Sequence, residues 1–351
     1  MSSVDVVVPC YRYGRFLRQA VESVLNQQGP KVRVLIINDA SPDGTAAVAA
    51  ELAAEDVRVT VIDHAANRGH IDTYNEGIAW ASADYMLILS ADDYLLPGAL
   101  ERAARLLDSN PEVGLTFGDD IVTYDAEDVR EIPRRRVKAP WRIMTGPEFV
   151  RLSGSYNIVS TPSAIVRTAL QKRVGGYRPA LPHAGDMEMW FRFAAHGSVG
   201  QLHAYQAVYR RHTGNMSSAY YQSRGRMPDL EQRRDVLDSF FATCGFEPSL
   251  IRELRGRAMR SLACHAVALA GEAYLDDKMD DSRKLTEFAL AIDPRAKMSG
   301  QWAKLMLKRL LGSRLWRVVR TPVAAARQSR AQVGMFWKRF VRSASNMLSA
   351  S

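Results

Sequence analysis

The chain has little cysteine, no long apolar run and, toward its C-terminal end, no acid. Its 351 residues include three cysteines, Cys10, Cys244 and Cys264. They lie far apart, without disulfide or metal-ligand spacing, which excludes a disulfide-stapled scaffold or a zinc finger and fits a reducing compartment. No window approaches the roughly 20 apolar residues that span a bilayer. The longest apolar stretch, residues 261–271, is short and carries His265. Met1-Ser2-Ser3-Val4-Asp5 places no basic segment before an apolar one, so no signal peptide is expected and the chain reads as cytoplasmic. A Gly-rich turn after the first strand is also missing. Pro9-Cys10-Tyr11-Arg12-Tyr13-Gly14 occupies that place, which argues against a dinucleotide-binding dehydrogenase. A sugar-nucleotide pyrophosphorylase would need a Gly- and Arg-rich loop there.

What is present is an ordinary globular composition, 47% hydrophobic and 24% charged, in a chain long enough for one large α/β domain and a smaller module. The net charge of +9 is unevenly spread. Thirteen of the 47 Lys and Arg, and none of the 38 Asp and Glu, fall in residues 295–351, which leaves the remainder at −4. A basic tail on an acidic body implies an anionic partner for the tail, a membrane surface or a nucleic acid.

Val4-Asp5-Val6-Val7-Val8-Pro9 predicts a buried strand, and Phe16, Leu17, Ala20, Val21, Val24 and Leu25 mark one face of the helix after it. Strands follow at 32–37, 57–63 and 85–89, with helices at 45–55 and 70–82 between them. A further helix is expected after Asp92-Asp93, with Pro97 in its first turn. This alternation predicts a mostly parallel sheet covered by helices on both faces. Ligands bind beyond the carboxyl ends of such strands, so Asp39, Asn67-Arg68-Gly69 and Asp92-Asp93 are expected along one edge. Beyond residue 110 the pattern weakens. Strands are expected at 113–124 and near 204–210, a basic loop with Arg134-Arg135-Arg136 at 130–145, and helices from 229 to 293.

Two adjacent acids after a buried strand can hold a hard divalent cation, which in turn holds a diphosphate. Each acid also has a plain structural explanation: Asp92-Asp93 as the start of the next helix, Asp186 as an N-cap, Asp39 as a turn residue. His212 could equally be a surface residue.

The set taken in order removes most of that ambiguity. Val7-Val8-Pro9, Asn38-Asp39-Ala40-Ser41-Pro42-Asp43-Gly44-Thr45, Asn67-Arg68-Gly69, Leu89-Ser90-Ala91-Asp92-Asp93, Thr161-Pro162-Ser163, Val174-Gly175-Gly176-Tyr177, Gly185-Asp186-Met187-Glu188 and Tyr209-Arg210-Arg211-His212 together resemble the family 2 glycosyltransferases of the GT-A fold, over residues 3–220. The resemblance implies a Rossmann-like α/β catalytic domain at 1–220, followed by a helical extension at 221–294 and the basic amphipathic tail at 295–351. It implies an inverting, hexosyltransferase-type enzyme that carries sugar from a nucleoside-diphosphate sugar, UDP-sugar favoured, to the hydroxyl of a lipid-linked or saccharide acceptor. Bacterial surface polysaccharide or glycolipid assembly is the expected setting.

Carried over position by position, the resemblance makes Asp39 the acid that receives the nucleotide base, with Pro9 and Tyr11 lining the same slot. Arg68 would meet the diphosphate or base, and Asp92 the ribose or sugar. Asp93, with His212, would hold Mg2+ or Mn2+, and Asp186 would be the general base. Two departures stand out. Ser90 replaces an acid often found before Ala91, and Gly185 replaces the Glu that often precedes the base.

In the tail, Val333, Phe336, Trp337, Phe340, Val341, Ala344, Met347 and Leu348 share one helical face, with Lys338, Arg339 and Arg342 on the other. That pattern predicts a helix lying on an anionic membrane, at the cytoplasmic face of the inner membrane. No nucleic acid is expected, since no zinc-finger or RNA-recognition motif is present. A catalytically inactive scaffold is the remaining alternative, disfavoured because Asp39, Asp93, Asp186 and His212 are all in place.

Overall fold

The computed structural model describes residues 1–124, 129, 131–132, 139–215, 226–313 and 315–316. The Arg134-Arg135-Arg136 cluster and the amphipathic segment 333–348 lie outside the described residues. The chain divides into two compact units, Met1–Ser261 and Leu262–Ser351.

In the first unit the expected alternation is realised. It runs β1 (Ser3–Cys10), α1 (Gly14–Leu25), β2 (Lys31–Asn38), α2 (Thr45–Glu55), β3 (Val59–Asp63), α3 (His70–Trp80) and β4 (Tyr85–Ile88). A two-residue strand, β5 (Tyr94–Leu95), comes next, then α4 (Ala99–Ser109), β6 (Val113–Tyr124), β7 (Trp141–Met144), α5 (Gly146–Ser153), β8 (Ile165–Arg167), α6 (Thr168–Val174), α7 (Gly185–His196) and β9 (Ser198–Arg211). After β9 stand α8 (Met227–Thr243) and α9 (Pro248–Leu275), a helix that crosses the division between the units.

Among the described residues the sheet has nine strands, ordered β3-β2-β1-β4-β8-β6-β9-β5, with β7 also on β9. The long ladders, β1 with β2, β2 with β3, β1 with β4 and β6 with β9, are parallel. The short ones that stitch the two halves and the edge are antiparallel.

Burial explains the order. Val4, Val6 and Val8 of β1 are fully buried and share a core with Leu17, Val21 and Val24 of α1 and Leu100, Ala103 and Leu107 of α4. Successive side chains of a strand point to opposite faces, so Val7 points the other way, toward α3. There the helix backbone comes so close that a Cβ on Gly77 would stand 2.3 Å from a Val7 methyl. Helices therefore cover both faces, as the sequence pattern predicts.

One local expectation is corrected. Pro97 is not in the first turn of α4. The helix starts at Ala99 behind Gly98, which has φ 75°, and β5 intervenes after Asp92-Asp93. Tyr94 and Leu95 pair with Val208 and Ala207, a partner more than a hundred residues away that local periodicity cannot reveal. This also removes the helix-start explanation of the acid pair.

The second unit holds the end of α9, α10 (Met279–Ile292) and a helical stretch at 300–313. Leu285 and Ala289 are buried in it, Lys308 caps the carbonyl of Gly271 at 2.8 Å, and Arg309 donates to Thr286 at 3.0 Å. Among the described residues no helix is long and apolar enough to cross a membrane.

Candidate active site

The polar residues of interest gather where β1, β2, β3 and β4 end. Asp39, one residue beyond β2, is 4% exposed. Its Oδ1 accepts the Arg68 amide at 2.8 Å and faces His64 Nδ1 at 2.7 Å, while its Oδ2 accepts the Gly69 amide at 2.9 Å. Burial alone would raise this carboxyl, but those bonds outweigh it and hold it below the usual range. The second ring nitrogen of His64 lies 2.7 Å from Glu76 Oε2, and the Arg68 guanidinium reaches the same oxygen at 3.5 Å. Asn67 adds a bond to the Asp39 carbonyl at 3.0 Å. The Asn-Arg-Gly turn is thus fastened to Asp39 through main-chain groups, which leaves the Arg68 side chain half exposed. Tyr11 is exposed just past β1, beneath the Arg12 guanidinium at 5.1 Å. Pro9 is buried inside β1, in register with Ile37.

The acid pair forms a second group. Asp92 Oδ1 accepts the Ser90 hydroxyl at 2.5 Å, and its Oδ2 accepts Asn215 Nδ2 at 2.9 Å and meets His212 Nε2 at 3.1 Å. Asp93 is 3% exposed and takes the Arg210 amide at 2.9 Å. Burial, and then the neighbouring charge of Asp92, push the Asp93 carboxyl well above the usual range. Arg210 itself is fully buried. It donates to the Asp92 carbonyl at 2.9 Å and to Gln19 at 2.6 Å, and stacks on Phe16 at 4.5 Å. Among the described residues its Nε has no hydrogen-bond partner.

Asp186 forms the third group. It lies in the first turn of α7 rather than at the N-cap, which is Ala184. Thr161 donates to its Oδ2 at 2.7 Å, and the Tyr177 phenol is hydrogen-bonded to it. The departure at Gly185 has a steric counterpart, because a Cβ there would stand 3.1 Å from the Tyr177 ring. Glu188, the nearest other acid on α7, is committed to Arg192 at 2.8 Å and Arg178 at 3.3 Å.

Tyr74 connects the second and third groups. Its phenol is held far above the usual range by burial first, then by Asp186, Asp92 and Asp93, so it lies within electrostatic reach of both. Acids of two separate groups within reach of one buried tyrosine suit a substrate that is anionic at one end, reached through a cation, and loses a proton at the other.

The donor set bears on the metal question. Two adjacent buried carboxylates facing each other's like charge are hard oxygen ligands that a divalent cation would neutralise. Among the described residues no three His, Cys, Asp or Glu side chains cluster so as to enclose a metal alone. That matches the habit of Mg2+ and Mn2+ sites that use one or two carboxylates and complete their shell with phosphate oxygens and water.

Sequence reasoning missed His64, Arg210 and Asn215 as parts of these groups. Arg210 stands within the Tyr209-Arg210-Arg211-His212 motif and Asn215 three residues beyond it, so both could have been suspected there. His64 carries no signal outside the fold.

Residues 5–173 match the family described as Glycosyl transferase family 2. An uncharacterised glycosyltransferase of Haemophilus influenzae is 21% identical over 255 residues, covering 72% of this chain and 78% of its own. Among solved structures, S. aureus TarS 1–349 in complex with UDP-GlcNAc superposes with a TM-score of 0.58 at 18% identity, over 81% of this chain and 90% of that one. The mannosyltransferase PcManGT from Pyrobaculum calidifontis, in complex with GDP-Man and Mn2+, does so at 0.53 and 18%, over 88% and 79%. The fold is that of the GT-A glycosyltransferases, and residues 5–173, just under half of the chain, match glycosyl transferase family 2.

Proposed function

We propose that the chain transfers a sugar from a nucleoside-diphosphate sugar, UDP-linked by preference, to an acceptor hydroxyl with inversion. The observation that carries this reading is the presence of the Asp92-Asp93 pair and of a separate, hydroxyl-held acid, Asp186, both within electrostatic reach of Tyr74. Nucleotide sugars in the two structural neighbours, UDP-GlcNAc and GDP-Man, support it.

Asp39 takes the nucleotide base, with Pro9 and Tyr11 beside it and the exposed Arg68 guanidinium turned to the base or diphosphate. Asp92 faces the ribose or sugar, and Asp93 holds Mg2+ or Mn2+, while His212, expected from the resemblance as a second ligand, has both ring nitrogens engaged and instead supports Asp92. The cation, when bound, stabilises the charge that develops on the departing diphosphate. Asp186 accepts the proton of the attacking hydroxyl, and the Thr161 and Tyr177 hydroxyls fix the direction in which its carboxylate points. Glu188 is locked between two arginines, so α7 presents one base and no second carboxylate for a covalent intermediate. That favours single displacement with inversion.

The acceptor is a saccharide or lipid-linked saccharide. The basic tail, 295–351, holds the enzyme to an anionic membrane face during surface polysaccharide or glycolipid assembly. Sedimentation with anionic liposomes at low salt tests the tail, and absence of binding there would refute that part alone. The donor site is tested by calorimetry of UDP, GDP and dTDP with wild type and Asp93→Ala, with and without Mn2+. Metal-dependent binding of one nucleotide, lost in the variant, is expected. No binding of any nucleotide would overturn the reading and favour an inactive scaffold.

A further inference from the structure

Asp186 stands in the first turn of α7, and α7 begins without a cap of its own. Ala184, the residue before the helix, has no side chain able to accept a hydrogen bond. The order of residues 181–184 is imposed from outside. On one side, His70 of α3 places its Nε2 2.8 Å from the Pro182 carbonyl. On the other, a single oxygen of α8, Gln232 Oε1, accepts the amides of His183 at 2.9 Å and Ala184 at 3.1 Å.

The same helix holds the neighbouring chain by other means. The His183 ring meets Asp229 Oδ1 at 3.2 Å, and the other oxygen of that buried carboxyl binds Arg233 at 2.6 Å. Arg178 donates to Ser239 at 2.6 Å, and Phe191 packs on Phe240 with ring centroids 5.1 Å apart. Helix α8 therefore grips the chain on both flanks of Asp186, at 178 and 183–184 before it and at 191 after it. It does so although it lies outside the segment 5–173 that matches the family.

An amide oxygen has two lone pairs, and here two consecutive backbone N–H groups share it, which leaves little freedom for the peptide that leads into the helix. A catalytic group displaced by about 1 Å can lose about 100-fold in rate. We propose that Gln232 is a positioning residue for Asp186, acting through the His183 and Ala184 backbone, so that α8 is a working part of the transferase. The inference rests on the reading of Asp186 as the general base.

Three variants separate positioning from mere packing. Gln232→Leu fills the space without an acceptor, Gln232→Asn is one methylene short, and Gln232→Glu keeps an acceptor at the same reach. The readouts are nucleotide release from UDP-GlcNAc and GDP-mannose with Mn2+ and water as acceptor, calorimetric UDP and GDP binding, and amide hydrogen exchange over residues 181–188. Leu and Asn at 232 should lower kcat by about 10-fold or more while donor KM and nucleotide affinity hold within about twofold, and Glu should restore kcat to within about threefold. Exchange at the 183 and 184 amides should quicken in the Leu and Asn variants alone. Unchanged kcat in the Leu variant, Glu and Leu variants that are equally impaired, or exchange at 183–184 equal to wild type would each overturn the proposal. Should water not serve as acceptor, the exchange contrast between Leu and Glu decides, and its absence overturns the proposal. Loss of all nucleotide binding in the wild type would instead remove the transferase reading, and the exchange contrast would then decide only whether Gln232 orders residues 183–184.

Discussion

His212 donates the hydrogen on its Nε2 to Oδ2 of Asp92 across 3.1 Å, a tautomer set by the Gly214 amide, which points at Nδ1 from 3.1 Å. Asn215 shares the same carboxylate oxygen, and Ser90 takes the other. Asp92 is therefore well supplied with donors, whereas Asp93 accepts one backbone amide. The two acids, adjacent in sequence, are unequal in what they can still bind.

This inequality predicts unequal consequences. In manganese EPR with UDP present, Asp93→Asn should weaken Mn2+ uptake by about 100-fold or more, and Asp92→Asn by about 10-fold, the lower end of the range for groups supporting a ligand. Equal losses would contradict the assignment of the metal to Asp93.

Asp39 receives two amides and a histidine, so an Asn in its place would turn an NH2 group toward N–H donors. Asp39→Asn is expected to weaken UDP binding by about 10- to 100-fold, about 1.4 to 2.8 kcal/mol, through loss of the base acceptor and loosening of the Arg68-Gly69 turn. Calorimetry reads the first effect. Amide exchange at Arg68 and Gly69 reads the second.

Asp186→Asn should leave UDP affinity within about twofold while lowering the transfer rate by about 100- to 10,000-fold, the range for loss of a general base. Thr161→Val, which removes the hydroxyl held 2.7 Å from Asp186, should show a smaller fall in kcat with donor KM unchanged. An effect confined to KM would argue that these residues bind donor instead.

Asp5, at the opposite end of β1, supplies a pH prediction independent of the site. Burial tends to raise its carboxyl, but two bonds from Arg33 at 2.8 and 2.7 Å and the amides of Ser82 and Ala83 at 2.7 and 2.8 Å prevail and hold it below the usual range. A carboxyl lowered on folding contributes stability that is complete above its unfolded value, near pH 4, and is lost as pH falls through the folded value. Urea unfolding should show wild type losing stability below pH 4, with a shallower loss in Asp5→Asn. At pH 7 the variant should be about 1–3 kcal/mol less stable, because donors lose their acceptor, with UDP binding intact.

The alternation of β-branched runs with amphipathic segments through residue 89 was legible because each element there is local. A strand buried on both faces must be continuously apolar, and a helix on that sheet must show a stripe of period 3.6. From that alternation follow the parallel core, the helices on both faces, and the placing of Asp39, Asn67-Arg68-Gly69 and Asp92-Asp93 along one edge.

Tertiary structure decided the rest, where partners are distant. Tyr94-Leu95 is a strand only because β9 lies beside it. Asp186, read as an acid before a helix, became a hydroxyl-held carboxylate through Thr161 and Tyr177. Ser90, a departure from the family pattern, turned out to donate to Asp92. Arg210 enters the sequence only as part of the Tyr209-Arg210-Arg211-His212 motif, yet it is buried between Phe16 and Tyr94, where Asp93, Asp92 and Gln19 receive its polar groups. Which carboxylate keeps a lone pair for a ligand depends on donors from elements up to 123 residues apart. No local pattern encodes that distance, because hydrogen-bond saturation belongs to the packed site and not to any one segment of chain.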